Sequence, residues 1–299
     1  MGQYTSYYLY QKYVKIGQQE PTPVYPTVLS IDGEGTMPLS TKTEYDTSCG
    51  YIPPTPEPIY GWFEVSGYVC DECDAIKAMI QISGNTYYVN GTGEISRSEV
   101  SGYSNTAENV VITNSCSSIA DGAFSGFTAA GFVRIPNTVT TIGNSAFTSC
   151  SAMTECQIPY GTTSIGNSAF IGCTSLNGVD IPNTVTSIGV SAFSDSHNFR
   201  YVSIPSSVTS IPDYCFYNCD GLSDVELPSS ITTIGNSAFA ECSGLYSFTV
   251  NNIVPPTLGT GAFYNTNNSL KIYVPSTAVN TYKTASGWSS YKYKIYPIE

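Results

Sequence analysis

The hydrophobic positions of this chain recur with a fixed period. Seven phenylalanines mark it: Phe124, Phe147, Phe170, Phe193, Phe216, Phe239 and Phe263, with steps of 23 residues and a last step of 24. Around each one the chain repeats a phrase close to Thr-Ser-Ile-Gly-Asn-Ser-Ala-Phe-x-x-Cys-x-x-Leu-x-x-Val-x-Ile-Pro. A period of this length predicts a solenoid, in which each unit buries its apolar face only against its neighbours.

The first half of each unit has the spacing of a short helical turn. In the third unit Ala169, Phe170 and Cys173 stand at positions i, i+1 and i+4, which share one face of a helix. Asn167 or Ser168 precedes them and is a residue type that caps helix N-termini. We therefore expect a capped helical turn in each unit.

The second half of each unit alternates like a strand. Val179 and Ile181 flank Asp180, so a short strand directs the two apolar side chains inward and the carboxylate outward. Pro182 ends the strand because it has no N–H for the ladder. Gly189 is expected to turn the chain towards the next unit.

Copies of this strand are expected to stack in parallel, about 4.8 Å apart. The same register begins near Val110 and Ile112 and ends near Ile272 and Val274. The predicted fold is an α/β solenoid of seven 23-residue units, with short parallel strands and short helical turns, behind a small, mainly β N-terminal region.

The repeated phrases resemble the BspA-like leucine-rich repeat family over about residues 106–299. They are Ile-Gly-Asn-Ser-Ala-Phe-x-x-Cys and Ile-Pro-Asn-Thr-Val-Thr-Ser-Ile, and Leu176, Val179 and Ile181 keep the L-x-x-L-x-L spacing. Residues 255–259, 272–275 and 287–289 look like the family's closing repeat and cap, at about 271–299. The resemblance implies binding or adhesion rather than catalysis, and no cofactor.

Two outward columns vary freely while the inward columns hardly change. Ten residues after each Phe stand Arg134, Gln157, Asp180, Ser203, Glu226, Thr249 and Tyr273. Two residues earlier the candidates are Phe132, Glu155, Tyr201 and Asp224, and Gly178, Ser247 and Lys271 complete that column. We predict that these columns form a binding face, as strand faces of solenoids often do. The alternative is ordinary solvent-exposed surface. The exposed aromatics Phe132 and Tyr201 are the first candidates for mutation.

The cysteines of the repeats fit packing better than metal or disulfide chemistry. Cys150, Cys173, Cys219 and Cys242 share one column with Phe127, Ser196 and Thr266, so sulfur is not required there. The remaining repeat cysteines, Cys116, Cys156 and Cys215, occupy positions of core valine or alanine. Free cysteine behaves as a small hydrophobic residue.

Cys70 and Cys73 form a lone C-x-x-C motif. A structural zinc site needs four ligands, and the other candidates are Cys49 and the single histidine, His197, far along the chain. We expect a hairpin or a local disulfide there, with a zinc or redox site as the alternative.

Catalysis is not expected. The segment 194–197, Ser-Asp-Ser-His, contains the residue types of a triad, but consecutive residues of one loop do not converge as a triad must. No glycine-rich phosphate loop is present. We predict no catalytic residue and no metal ligand.

Charge and hydropathy exclude two classes of partner. The net charge is −12, with 5 Lys or Arg against 12 Asp or Glu in residues 1–105 and 6 against 11 in residues 106–299. Neither part has a basic stripe for phosphates, so nucleic-acid binding is not expected. No run of about 18 apolar residues occurs, so membrane insertion is not expected either.

The first hundred residues do not follow the repeat. We expect an N-terminal anchor segment at 1–51, a Pro-rich linker at 52–58 and a small β element at 59–105 that caps the solenoid. Strands are predicted at 7–10, 60–65, 80–82 and 86–89, and a turn at 32–35.

This order of segments suggests a protein that attaches one surface to another. The N-terminal part resembles segments that precede such repeats in proteins of gut Bacteroidales and their phages, and it has no apolar signal-peptide core. We expect a phage virion component, for host attachment, whose N-terminus docks to a larger assembly and whose repeats bind a host protein or glycan. The alternative is a bacterial cell-surface or secreted adhesin. A homo-oligomer is possible in either case.

Overall fold

A computed structural model describes residues 76–298 and, before them, four strands. The chain divides into two units, residues 1–73 and 74–299. In the first unit the strands are β1 (Tyr4–Leu9), β2 (Ile31–Asp32), β3 (Gly35–Thr36) and β4 (Trp62–Gly67). β1 pairs antiparallel with β4, and β2 with β3. The strands expected near 7–10 and 60–65 are thus present, whereas the linker at 52–58 and Cys49, Cys70 and Cys73 lie outside the described residues.

The second unit begins with a β hairpin that covers the first coil. The hairpin consists of β5 (Ile76–Ile82) and β6 (Asn85–Asn90). It is followed by β7 (Gly93–Ile95), α1 (Arg97–Val100) and a 3-10 turn at Ser101–Tyr103. β5 pairs antiparallel with β6 and also with the first repeat strand, where Ile80 lies opposite Val110. The hairpin therefore supplies backbone partners to a strand that would otherwise be an edge.

Each repeat contributes one strand to each of two parallel stacks. The first stack contains β8 (Asn109–Ile112), β10 (Phe132–Arg134), β12 (Glu155–Cys156), β14 (Gly178–Asp180), β16 (Tyr201–Ser203), β18 (Asp224–Leu227), β20 (Ser247–Val250) and β22 (Lys271–Val274). The second contains β9 (Cys116–Ile119), β11 (Thr141–Ile142), β13 (Ser164–Ile165), β15 (Ser187–Ile188), β17 (Ser210–Ile211), β19 (Thr233–Ile234) and β21 (Thr257–Leu258). Val133 lies beside both Val110 and Cys156, which is the predicted register.

The segment around each repeat Phe consists of linked turns rather than a capped helix. No helix is assigned between residues 104 and 275, and Ser168 has φ 53°, outside the helical region. Asn167 does not cap its own turn: its side-chain Oδ1 accepts a hydrogen bond from the N–H of Val190 in the next coil, at 2.8 Å. The expected side-chain cap is absent because the Asn167 side chain bonds to the next coil, although the turn keeps backbone bonds of its own, such as the one from the N–H of Ile171 to the carbonyl of Ser168 at 3.2 Å.

The repeat phenylalanines form one continuous column in the core. From Phe124 to Phe263, successive ring centroids are 5.2–6.0 Å apart and successive ring planes differ by 4–13°. The inward residues Leu176, Val179 and Ile181 are buried as predicted. Stacked rings and aliphatic columns together make a core that continues from coil to coil.

Gly189 is required by close packing of the coils rather than by a special turn. A β carbon at this position would lie 2.3 Å from the backbone N of Asn167. Only glycine allows the two backbones to approach this closely.

The C-terminal end is closed by a short helical segment and one more strand. A 3-10 turn at Ser276–Ala278, α2 (Val279–Thr284) and a 3-10 helix at Trp288–Lys294 lead into β23 (Ile295–Pro297). β23 pairs in parallel with β22. Trp288 is fully buried and its Nε1–H donates to the carbonyl of Pro256 at 2.7 Å. Within the described part of the chain, no helix is long and apolar enough to cross a membrane.

Candidate binding face

The candidate site is the outer side of the first stack, which we call the strand face. It consists of the side chains eight and ten residues after each repeat Phe, from β10 to β22. Backbone pairing aligns them in rows: Asp180 lies beside Ser203, Glu226 beside Thr249, and Thr249 beside Tyr273. The rows have a fixed arrangement because the inward-facing side chains of the same strands are buried in the core.

The structure places all eleven predicted residues at the surface, but not equally. Glu155, Gln157, Asp180, Tyr201, Ser203, Asp224 and Glu226 are exposed, whereas Phe132, Arg134, Thr249 and Tyr273 are half-buried. Gln157 lies just beyond the end of β12. The exposed members therefore concentrate in the middle coils, and the half-buried ones lie towards the two ends.

Tyr201 is the exposed aromatic residue at the centre of the strand face. It lies beside Gly178 in the preceding coil, and a β carbon on Gly178 would stand 2.6 Å from Cδ1 of Tyr201. The missing side chain at 178 thus makes room for the tyrosine ring, which is still 49% exposed. An aromatic residue held in this way offers a large contact area with little conformational freedom left to lose.

The C-terminal end of the strand face carries a second aromatic group that the repeat pattern did not reveal. Tyr273 lies beside Tyr296 of β23, with ring centroids 6.3 Å apart. The Nζ of Lys271 stands 5.7 Å from the centroid of the Tyr296 ring. Tyr296 stands 23 residues after Tyr273, so extending the column by one step would have found it; sequence reasoning missed it because Ser286, and not Phe, stands 23 residues after Phe263.

The repeat cysteines are buried in the core, as packing predicts. All seven described cysteines are free and buried. Burial raises the pKa of the Cys156 and Cys242 thiols to about 12. The column of Cys173 has a specific role: its Sγ donates to the carbonyl of Phe147 at 3.2 Å, and Ser196 makes the same bond to Phe170 with its hydroxyl at 3.3 Å.

The residue types of a catalytic triad do not assemble. Nδ1 of His197 is 3.2 Å from Oδ2 of Asp220 in the next coil, while the Ser194 hydroxyl donates to Asp195 instead. Asp195 also accepts a bond from Asn218. Among residues 76–298, no group of three His, Cys, Asp or Glu side chains is arranged to hold a metal ion.

Comparison with known proteins agrees with this architecture. A model of the BspA type leucine-rich repeat region matches residues 95–221 and 163–286, in six copies. No curated protein matches the chain.

Three similar solved structures are of bacterial leucine-rich repeat proteins. A T. pallidum leucine-rich repeat protein is 25% identical, with 55% of this chain and 86% of that chain covered and a TM-score of 0.48. A leucine-rich repeat protein from Bacteroides ovatus is 23% identical, with 74% and 67% covered and a TM-score of 0.43. A leucine-rich cell surface protein from Faecalibacterium prausnitzii is 22% identical, with 67% and 64% covered and a TM-score of 0.40.

The fold is thus that of a leucine-rich repeat solenoid, and the chain belongs to the BspA type leucine-rich repeat family. Proteins with these repeats are generally binding proteins without enzymatic activity.

Proposed function

We propose that this protein is a non-enzymatic binding or adhesion protein whose strand face contacts a protein or glycan ligand on a host surface. One observation carries the proposal. Within a single chain, the inward columns of the first stack stay apolar and buried through seven coils, whereas the two outward columns change at every coil.

The physical basis is a scaffold that tolerates change at its outer positions. The backbone groups of these strands are paired between coils, and the core beneath them is continuous. Substitutions at the exposed outward positions therefore alter the surface with little effect on folding, because surface changes usually shift stability by less than about 0.5 kcal/mol. Such a surface can acquire affinity for a ligand while the fold stays the same.

The proposal is tested by blocking the strand face and a matched position elsewhere. Ser203→Arg places a large side chain in the middle of the strand face, while Ser210→Arg places the same side chain on the second stack, on β17; both serines are exposed. The labelled full-length protein is applied to glycan arrays and to host cells. We expect Ser203→Arg to reduce binding at least about tenfold and Ser210→Arg to leave it within about twofold. Equal effects of the two variants would reject the strand face as the site.

We further propose that the protein is displayed on a phage virion, with residues 1–51 docked to the particle. This rests on the order of an aromatic-rich segment, a proline-rich spacer and a repeat unit. The alternative is display on, or secretion from, a bacterial cell. Immunogold labelling with antibodies to the full chain separates the two: label on purified phage particles supports the virion, and label on phage-free cells supports the adhesin.

A further inference from the structure

We propose that the C-terminal end of the strand face binds an acidic saccharide, with a carboxylate or sulfate group between Lys271 and Lys294 and the sugar ring beside Tyr296. This inference rests on the proposed binding function of the strand face and names a ligand class for one end of it. It depends on the distribution of charge along the chain, on a pair of neighbouring lysines without an acidic partner, and on the chemistry of the side chains around them.

Positive charge is concentrated near the C-terminal end of this acidic chain. Residues 1–242 contain 7 Lys or Arg against 22 Asp or Glu, whereas residues 243–298 contain four lysines and no acidic residue. These lysines are Lys271, Lys283, Lys292 and Lys294. A region with this local charge attracts anions although the whole chain carries −12.

Two of these lysines occupy equivalent positions on neighbouring strands. β22 and β23 pair in parallel so that Ile272 lies beside Ile295, and Lys271 and Lys294 each stand directly before one of these isoleucines. Both isoleucines are buried, so the residues on either side of them face outward. Neighbouring strands lie about 4.8 Å apart, which is close enough for both lysines to reach one anion. The outward residues of these two strands, which we call the C-terminal patch, are Lys271, Tyr273, Lys294 and Tyr296.

The two lysines of the C-terminal patch have no acidic partner. Among residues 76–298, neither Lys271 nor Lys294 forms an ion pair. Nζ of Lys294 donates to the carbonyls of Asn267 and Asn268, at 3.3 and 2.9 Å, which leaves one of its three donors for a ligand. Like charges at neighbouring positions destabilise a sheet, and no carboxylate of the described chain offsets this repulsion. A carboxylate or sulfate between the two ammonium groups would offset it and would accept charge-assisted hydrogen bonds.

The side chains around the lysines favour a saccharide over a peptide. Ser247 of β20 lies beside Lys271, and Thr249 lies beside Tyr273. All six outward side chains of β20, β22 and β23 therefore carry a hydroxyl or an ammonium group. Hydroxyls both donate and accept hydrogen bonds, as sugar hydroxyls require, and tyrosine adds an apolar ring next to its polar group. These rows offer no aliphatic contact for the apolar anchor of a peptide.

The chain contains a second lysine–tyrosine contact that lies outside these rows. Nζ of Lys292 is 5.0 Å from the centroid of the Tyr293 ring, as Nζ of Lys271 is 5.7 Å from that of Tyr296. Lys292 and Tyr293 are exposed and belong to the 3-10 helix at Trp288–Lys294. This pair has the same residue types but no neighbouring row of hydroxyls, and it therefore provides a matched control.

The test uses the full chain and fluorescent probes that separate the anion from the sugar. The acidic probes are oligogalacturonate, which carries carboxylates, and dextran sulfate, which carries sulfates. Their neutral counterparts, methyl-esterified oligogalacturonate and dextran, have the same sugar rings. A glutamate peptide supplies carboxylates without a sugar. Binding is measured by fluorescence anisotropy at low and high salt, and the melting temperature of each variant shows whether it is folded.

We expect at least one acidic saccharide to bind more tightly than its neutral counterpart and more tightly than the glutamate peptide. Lys271→Gln should lose about fivefold in affinity and Lys292→Gln less than about twofold, while Lys271→Arg should bind like the parent chain because the charge is kept. Tyr296→Ala should lose about threefold and Tyr293→Ala less than about twofold. Binding should weaken as salt rises, since the charges lie at the surface.

Three results would overturn the inference. Equal losses in Lys271→Gln and Lys292→Gln would mean that the probes respond only to the overall positive charge of residues 243–298. A glutamate peptide that binds as tightly as the acidic saccharides would mean that the C-terminal patch recognises an anion and not a sugar. If neither acidic saccharide binds while Ser203→Arg still reduces binding to host cells, the ligand class is wrong and the strand face remains the site. If Ser203→Arg has no effect either, the proposed function fails as well.

Discussion

The ring of Tyr201 lies against Gly178 of the preceding coil, where a β carbon would be 2.6 Å from Cδ1 of the ring and 2.4 Å from the tyrosine carbonyl oxygen. Gly178 is buried, although its column is otherwise exposed or half-buried. The most prominent residue of the strand face therefore depends on the absence of a side chain in its neighbour. This contact links the packing of two coils to the surface that a ligand would meet.

Gly178→Ala should destabilise the solenoid and displace Tyr201. Because one of the close contacts is to backbone, the methyl group cannot be accommodated by a side-chain rotation alone, and we expect a loss of about 1–3 kcal/mol in the free energy of unfolding. Urea unfolding measures the loss. Gly131→Ala is the control, because its nearest heavy atom would be 4.0 Å away. A similar loss in both variants would contradict the close contact.

Val190→Asn should stabilise the protein. Asp121, Asn144, Asn167, Asp213 and Asn236 each accept, through side-chain Oδ1, a hydrogen bond from the backbone N–H of the next coil. Val190 is the interruption in this column. An asparagine side chain at 190 would offer its Oδ1 as an acceptor to the backbone N–H of Asp213. This hydrogen bond should add about 0.5–1.5 kcal/mol to the free energy of unfolding.

The control for this gain is Val190→Gln, which carries the same amide on a side chain one methylene longer. It should not stabilise the protein, because the amide oxygen is displaced from the position that the column requires. Thermal unfolding of both variants beside the parent chain provides the comparison. An equal melting temperature for Val190→Asn and Val190→Gln would contradict the account.

Ser196→Cys should be nearly neutral, and Ser196→Ala should not. The Ser196 hydroxyl donates to the carbonyl of Phe170, as Cys219 donates to Phe193 in the next coil with its sulfur. Cysteine keeps the donor, whereas alanine removes it and should cost about 1 kcal/mol in unfolding free energy. Urea unfolding under reducing conditions would show the order. A larger loss for cysteine than for alanine would mean that side-chain size, not the donor, decides this column.

Stability should fall steeply at alkaline pH. Burial raises the pKa of the Cys156 and Cys242 thiols to about 12 and raises those of Cys173, Cys215 and Cys219 as well. The unfolded chain releases these protons from about pH 8.5, and the folded chain only at higher pH. Their contribution is therefore complete below about pH 8.5 and is lost as pH rises towards the folded pKa values.

Each such thiol should reduce the free energy of unfolding by about 1.4 kcal/mol per pH unit within that window. Melting temperatures between pH 7 and 11, in the presence of a reductant, measure the total. Cys156→Ala, which carries one thiol fewer, should show a shallower decline than the parent chain. A decline with the same slope would mean that other groups cause it.

The chain alone predicted the strands of the first stack and the core because both follow from the period, but it did not predict the second stack, such as β15 at Ser187–Ile188. Once Phe170 is placed in the core, a residue at a fixed distance from it must point the same way in every coil. Val179 accordingly points inward and is buried, and Asp180 points outward and is exposed. The same reasoning assigned the cysteines to packing. It did not find Tyr296, which keeps the 23-residue step from Tyr273, because no repeat Phe precedes the closing strand β23.

What the sequence by itself determined was therefore which side chains of the first-stack strands point inward and which point outward, since strand alternation and a 23-residue period are local and repetitive properties. What only the tertiary structure decided was how neighbouring coils touch. Asn167 supports the next coil instead of capping its own turn, Gly189 permits close approach, and Gly178 makes room for Tyr201. These contacts join residues about one period apart in the sequence, and they depend on separations between backbones that exist only when the coils are stacked.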